Sequence, residues 1–330
     1  MPSRTLLTLL VLTAAFALGP ATALAEDAVP VPLETAQSEL DILAAKLKSK
    51  RSINEEITAA LDAVSNAYHN LEAPVAPELK EVPDGAPEEE AAAIKAENKK
   101  LEDAYKVALG KFERDQAKFR KDAEKLFLKA FKLQLIHKQT ETNRRDDVNI
   151  EAAQVLGRTG SAKIAAQMQK ALETSVFKAK FEVSMQFLEE AFAALGKIGD
   201  MDSLAWMVKE FTHGNKSPRA KVDQLIAAHK AMILFDREQV PGALRYKLVQ
   251  EMVKTYGGIE AQASQSSTDK NVQAAKVFWD RIKNDAIKAV QYFSFDPKNE
   301  DEEVLATMDE FTKWFRNHKN PKKAPWKRAK

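Results

Sequence analysis

Apolar residues recur along most of this chain at steps of three and four, the spacing that places them on one face of an α-helix. From residue 40 to residue 71 the set is Leu40, Leu43, Leu47, Ile57, Leu61, Val64, Tyr68 and Leu71, with Lys50 and Asn54 at the two intervening seam positions. That pattern is an a/d seam with a polar interruption. Asn54 is a candidate for fixing register there, and a local solvated gap is the alternative. A second run, from about Glu88 to about His137, carries Ile94, Leu101, Tyr105, Ala108, Phe112, Phe119, Ala123, Leu126, Ala130 and Leu133. As one helix it would reach about 75 Å, longer than a compact domain. Pro74, Pro77, Pro83, Pro87 and Gly85 fall in residues 73–87 between the runs and forbid helix continuation, so that segment is a loop. Glu88, Glu89 and Glu90 then suit the positive end of the second helix. Residues 26–140 therefore predict a long, coiled-coil-like helical hairpin. Near Phe127 and Phe131 its longer arm is free to pack on the second half of the chain. The rival reading is that the seam recruits a second copy and makes a homodimer.

The second half of the chain repeats. Leu156-Gly157-Arg158-Thr159-Gly160 returns as Leu195-Gly196-Lys197-Ile198-Gly199, 39 residues later, and Leu234 follows Leu195 by the same interval. A period of this length marks stacked supersecondary units. Each unit reads as helix A, a tight turn and helix B, over about 146–175, 182–212, 217–256 and 270–318. Gly157 and Gly196 are the expected C-cap glycines of the A helices, and Ser161 and Asp200 or Asp202 the caps of the B helices. In the third unit Ser217-Pro218 opens helix A, Phe235-Asp236-Arg237-Glu238 replaces the glycine turn, and Pro241 opens helix B. The polar stretch from Gly257 to Asn271 reads as a surface loop. Asp296-Pro297 separates the last two helices.

The two Leu-Gly-x-x-Gly turns, each followed by a polar helix start, resemble the HEAT-repeat family, including its exported bacterial members. The clear match spans roughly residues 146–212. The resemblance implies an all-α fold in which the long N-terminal hairpin precedes a short HEAT-like α-solenoid, with the B helices presenting a face to partners. It says almost nothing about activity.

The N-terminus changes the compartment. Arg4, the apolar run Leu6–Leu18 and Ala23-Leu24-Ala25 have the form of a secretory signal peptide over 1–25, with cleavage near Ala25. The expected product is periplasmic or secreted and soluble. Cysteine is absent, which removes disulfides, thiolate nucleophiles and thiolate metal sites. With 50 Lys+Arg against 48 Asp+Glu, near-neutrality argues against a dedicated polyanion binder, and export argues separately against nucleic acid.

Catalytic patterns are missing. His69, His137, His213, His229 and His318 form no metal-ligand spacing, and no P-loop, G-x-G-x-x-G or nucleophile elbow occurs. The carboxylate-rich Glu189-Glu190 and Asp301-Glu302-Glu303 read as solvated or helix-start residues, and His229 as a helix-packing histidine. No catalytic residue, metal or cofactor is expected. The expected function is a non-enzymatic scaffold or adaptor that binds a protein or peptide through helix B, at Trp206, Lys209, Glu210, Arg245 and Lys247. Packing of Trp206 against a neighbouring helix is the competing reading. The alternative function is a self-assembling coiled-coil protein of the envelope. The tail 319–330 holds six basic residues and Trp326. It reads as a free terminus or as a weak contact with an anionic envelope surface.

Overall fold

The computed structural model describes residues 29–133, 145–174, 183–211, 222–295, 305–323 and 325–326. The signal-peptide reading lies outside them, as do His137, His213, Ser217-Pro218, Asp296-Pro297, Asp301-Glu302-Glu303 and the last four residues of the tail. The fold is all-α. Among the described residues the only bridge between extended segments is an isolated one, Val31 with Leu71. No described helix is long and apolar enough to cross a membrane.

The first periodic run is not one helix. It forms α1 (Leu33–Lys46) and α2 (Asn54–His69), which fold back on each other. Lys48-Ser49-Lys50-Arg51-Ser52 offers no apolar side chain to a seam, and the Ser49 hydroxyl accepts from the Arg51 N–H at 3.1 Å. Such local side-chain bonds compete with the helix. Lys50 therefore holds no seam position. Asn54 opens α2, where its amide oxygen accepts from Arg145 at 2.6 Å and its amide nitrogen meets Asp147 at 3.4 Å.

The second run is α3 (Glu88–Phe131), 44 residues. Its C-terminal third packs against α1 and α2 and buries Phe119, Ala123, Phe127, Ala130 and Phe131. The rest is an arm. A half-buried stripe, Ile94, Asn98, Tyr105, Leu109 and Phe112, continues the core stripe outward. No described helix covers it. Residues 72–83 run back along it as an extended segment. Asn98 accepts from the Lys80 N–H at 3.0 Å and donates to the Lys80 carbonyl at 2.8 Å. Pro74 and Pro77 are its half-buried members, and with Leu71 just before them they follow the three-residue period of polyproline II. The expected helical hairpin is thus a helix with an extended strap.

α4 (Asp146–Thr159), α6 (Met185–Ile198), α8 (Val222–Met232) and α10 (Lys270–Ser294) pack in sequence as one row. The second row is α5 (Ala162–Ala171), α7 (Met201–Phe211), α9 (Gly242–Ala263) and α11 (Met308–Asn317). α2 and α3 pack against α4, so the N-terminal segment and the repeats share one apolar core running from Ala36 to Trp326. The joint is made by Asn149. Its buried amide donates at 3.0 Å to the carbonyls of Ala130, Phe131 and Leu133 at the end of α3, of which Ala130 also accepts from the Leu133 N–H.

The repeat glycines divide the work differently from expectation. Gly157 and Gly196 are not caps; they lie buried inside α4 and α6. A Cβ on Gly157 would meet the Ala194 Cα at 3.0 Å, and one on Gly196 would meet the Ala231 carbonyl oxygen at 2.6 Å. Each lets the next A helix approach closely. The left-handed caps are the second glycines, Gly160 (φ 66°) and Gly199 (φ 72°). Ser161 and Asp200 cap the following helices as expected, accepting from Ile164 N–H at 3.4 Å and Ser203 N–H at 3.0 Å. In the third unit Phe235 occupies the close-approach position. There the contact with α10 is a hydrogen bond, Tyr292 Oη donating to the Phe235 carbonyl at 2.7 Å.

Candidate interaction surface

The two rows carry their charge differently. On the A row, ion pairs join successive units. Lys230 of α8 pairs with Glu189 of α6, and Arg281 of α10 with Asp223 of α8 at 2.7 Å. Glu151 of α4 lies beside Asp62 of α2. Burial first, and then the Asp62 and Glu190 carboxylates, push its carboxyl above the usual range. On the B row the exposed charges include Lys163 and Lys170 of α5, Asp202 and Lys209 of α7, Lys247 and Lys254 of α9, and Asp309 and Glu310 of α11. Lys209 pairs with its neighbour Glu210 at 3.4 Å. Lys163, Lys170, Lys247 and Lys254 have no ion pair among the described residues.

Trp206, expected as an exposed anchor, is 7 % exposed. It stacks on Phe192 with centroids 5.9 Å apart and meets Phe211 edge-on at 5.3 Å. Spacing from Leu204 and Met207 put it at the edge of the apolar stripe, and the helix turns it inward. Arg245 is likewise buried. Its guanidinium donates to the carbonyls of Pro325 and Trp326 at 3.4 and 3.3 Å, so it holds the tail rather than a partner. Lys209, Glu210 and Lys247 remain at the surface but converge on no common pocket.

The tail is also not free. Trp326 is 1 % exposed, set among Tyr246, Trp314 and Phe315 at centroid distances of 5.4, 5.8 and 6.1 Å. Its indole N–H donates to the His318 carbonyl at 2.7 Å. Its own carbonyl oxygen approaches the start of α9 so closely that a Cβ on Gly242 would stand 1.8 Å from it.

The concavity that sequence reading missed lies between α9 and α11, about 940 Å³ in volume. Trp279 and Phe315, core residues only 6 % and 7 % exposed, show an edge at its floor, and Lys254, Arg316 and Lys319 are its cations. Its two acids are engaged: Glu260 accepts from the Asp309 N–H at 2.9 Å, and Asp309 pairs with Lys313 at 2.7 Å. α9 runs unbroken through Gly257-Gly258 to Ala263, where the sequence reads as loop. Gly257 stays helical because it faces α11, its Cβ position only 3.1 Å from Thr312 Oγ1. Reading that stretch as loop hid one wall of the cleft. The seven-residue step from Lys247 to Lys254, one face of one helix, was the signal available.

The described histidines sit apart. His69 lies against Tyr68 and His318 against Trp314. His229 is fully buried, its Nε2 at 3.0 Å from Tyr256 Oη, which donates to the Phe211 carbonyl at 3.2 Å. With the Tyr256 proton given to the Phe211 carbonyl, the order is His229 Nε2–H to Tyr256 to Phe211. Nδ1 is left as a bare acceptor with no partner among the described residues. No group of three or more His, Asp and Glu gathers at metal-binding distance among the described residues. Comparison with family models, with curated proteins and with solved structures finds no match to this chain.

Proposed function

We propose that this is an exported, non-enzymatic interaction scaffold of the HEAT-like solenoid type. Its binding surface is the B row, and the seat of recognition is the cleft between α9 and α11, which takes an extended anionic peptide segment of a protein partner. The observation that carries the reading is the charge arrangement. Ion pairs join successive units on the A row, whereas Lys254, Arg316 and Lys319 gather at one cleft with no ion pair among the described residues, beside the carboxylates of Glu260 and Asp309. Cations at the rim of a cleft steer and select an anionic partner. Export rests on the form of residues 1–25, and the repeat family on the recurring Gly157 and Gly196 contacts.

Titration of labelled Glu- and Pro-rich peptides against the protein tests this reading. Saturable, salt-sensitive binding is expected, with loss in the Lys254→Glu/Arg316→Glu variant. Equal binding by that variant, or no saturable binding, rules the cleft out. The coiled-coil alternative finds the outer seam of α3 already occupied by residues 72–83, so pairing of two such seams would first have to strip the strap away.

A further inference from the structure

We infer that the cleft between α9 and α11 receives the acidic tip of the arm of a second copy of this chain. The inference rests on the cleft being a binding site, as proposed above. The tip, residues 78–90, carries Glu78, Glu81, Asp84, Glu88, Glu89 and Glu90 against one base, Lys80. That base is spent on Glu97, at 2.8 Å. Leu79 and Val82 stand exposed between the carboxylates, at 45 % and 36 %. The tip is therefore an anionic, partly apolar hairpin end. Pro83 and Pro87 restrict its backbone, which lowers the ordering cost of docking. The cleft is its complement: Lys254, Arg316 and Lys319 lack an ion pair among the described residues and outnumber the lining carboxylates, Glu260 and Asp309, around about 940 Å³ of space. That volume suits a short chain segment rather than a whole helix.

The tip does not reach its own cleft. α3 is anchored on α4 through Asn149 and packs along α1, α2, α4 and α5, while the cleft belongs to the last unit. Its lining includes no residue of the arm. Tip and cleft are different surfaces, so copies join head to tail, and the assembly grows unless its geometry closes a ring.

Sedimentation velocity of the purified protein over a concentration series tests the inference, with two neutralised variants. One is Glu78→Gln/Glu81→Gln/Asp84→Asn and the other is Lys254→Gln/Arg316→Gln. All five positions are exposed or at the cleft rim, so unchanged thermal unfolding serves as the control for folding. The unaltered protein should associate, and should do so less as salt rises from ~0.05 to ~0.5 M, where screening shortens to a few ångströms. Each variant alone should associate about tenfold more weakly or worse. An equimolar mixture of the two should form a one-to-one dimer and nothing larger, because it retains one intact tip and one intact cleft per pair. Association that neither variant weakens overturns the inference, as does a monomer at every concentration. In the monomer case, a peptide of residues 76–91 separates the two readings. If it binds in a manner that requires Lys254 and Arg316, the cleft stands and takes an acidic segment of another protein. If it does not bind, the cleft reading falls as well.

Discussion

His229 has no access to water, and burial holds its imidazole down to about 4 from the ordinary 6.5. The folded chain therefore refuses a proton that the unfolded chain accepts. Stability is complete above about pH 6.5 and is lost progressively as pH falls toward 4, a change of about 3 kcal/mol for a shift of this size. His229→Gln keeps a donor for Tyr256 Oη and cannot titrate. Urea midpoints measured between pH 7 and pH 4.5 should fall less steeply in this variant than in the parent, and parallel slopes would refute the assignment. At the repeat glycines, alanine tests close packing. Helix propensity alone predicts a gain of about 1 kcal/mol at each position, but the Cβ on Gly196 meets backbone oxygen at 2.6 Å. Overpacking of this kind costs about 1–3 kcal/mol. Gly196→Ala should therefore lower the thermal midpoint, and by more than Gly157→Ala, where the nearest atom is at 3.0 Å. The period of 39 residues located both glycines, but period alone does not say which is cap and which is contact. That depends on where the helix ends, and a one-dimensional pattern places helix ends least well.

At the scale of elements, the joint between arm and repeats has one buried polar side chain, Asn149, within a shared apolar core. Asn149→Ala would leave the Phe131 and Leu133 carbonyls without this donor, beside a side chain that is 1 % exposed, while Ala130 keeps the Leu133 N–H. Unsatisfied buried acceptors cost about 1–3 kcal/mol each when water cannot replace the donor. A loss of about 2–4 kcal/mol is expected in denaturant unfolding, with faster amide exchange concentrated in residues 119–131. Exchange that rises evenly across the molecule would contradict a local joint. Asn149 looks in sequence like an unremarkable polar residue in the first turn of a helix, because its three acceptors lie 16 to 19 residues away. The elements themselves were legible wherever apolar spacing met a capping residue, as at Ser161 and Pro241. The seam through Lys50 and Asn54 was not, because a pattern of threes and fours continues across a break when the two helices on either side share one core. The Gly257-Gly258 helix was hidden for the opposite reason, since its stability comes from packing on α11 rather than from its own residues.

Across the whole molecule, the C-terminal tail closes the end of the stack. A row of units exposes apolar surface at each end and needs a cover. α1–α3 cover the first unit, and Trp326 helps cover the last. Trp326 touches Phe315, which on another side lines the α9–α11 cleft; the tail thus supports one wall of the candidate binding site. Burying the indole beside Gly242 leaves no room for a side chain there, and Gly242→Ala places a methyl carbon on the Trp326 carbonyl. Both Trp326→Ala and Gly242→Ala should release the tail. The first forfeits about 3 kcal/mol of packing, near the lower bound for a buried tryptophan. Because units in a stack stabilise mainly their neighbours, the damage should stay local. Amide exchange should accelerate in α9, α10 and α11 while α1–α4 keep their protection, and affinity for an acidic peptide should fall with it. If the tail were an independent terminus lying on the surface, removing the indole would leave exchange in α11 unchanged and peptide affinity intact. If the whole molecule instead unfolded as one cooperative unit, protection in α4 and α11 would fall together. Hydrogen exchange on these two variants distinguishes all three behaviours in a single experiment.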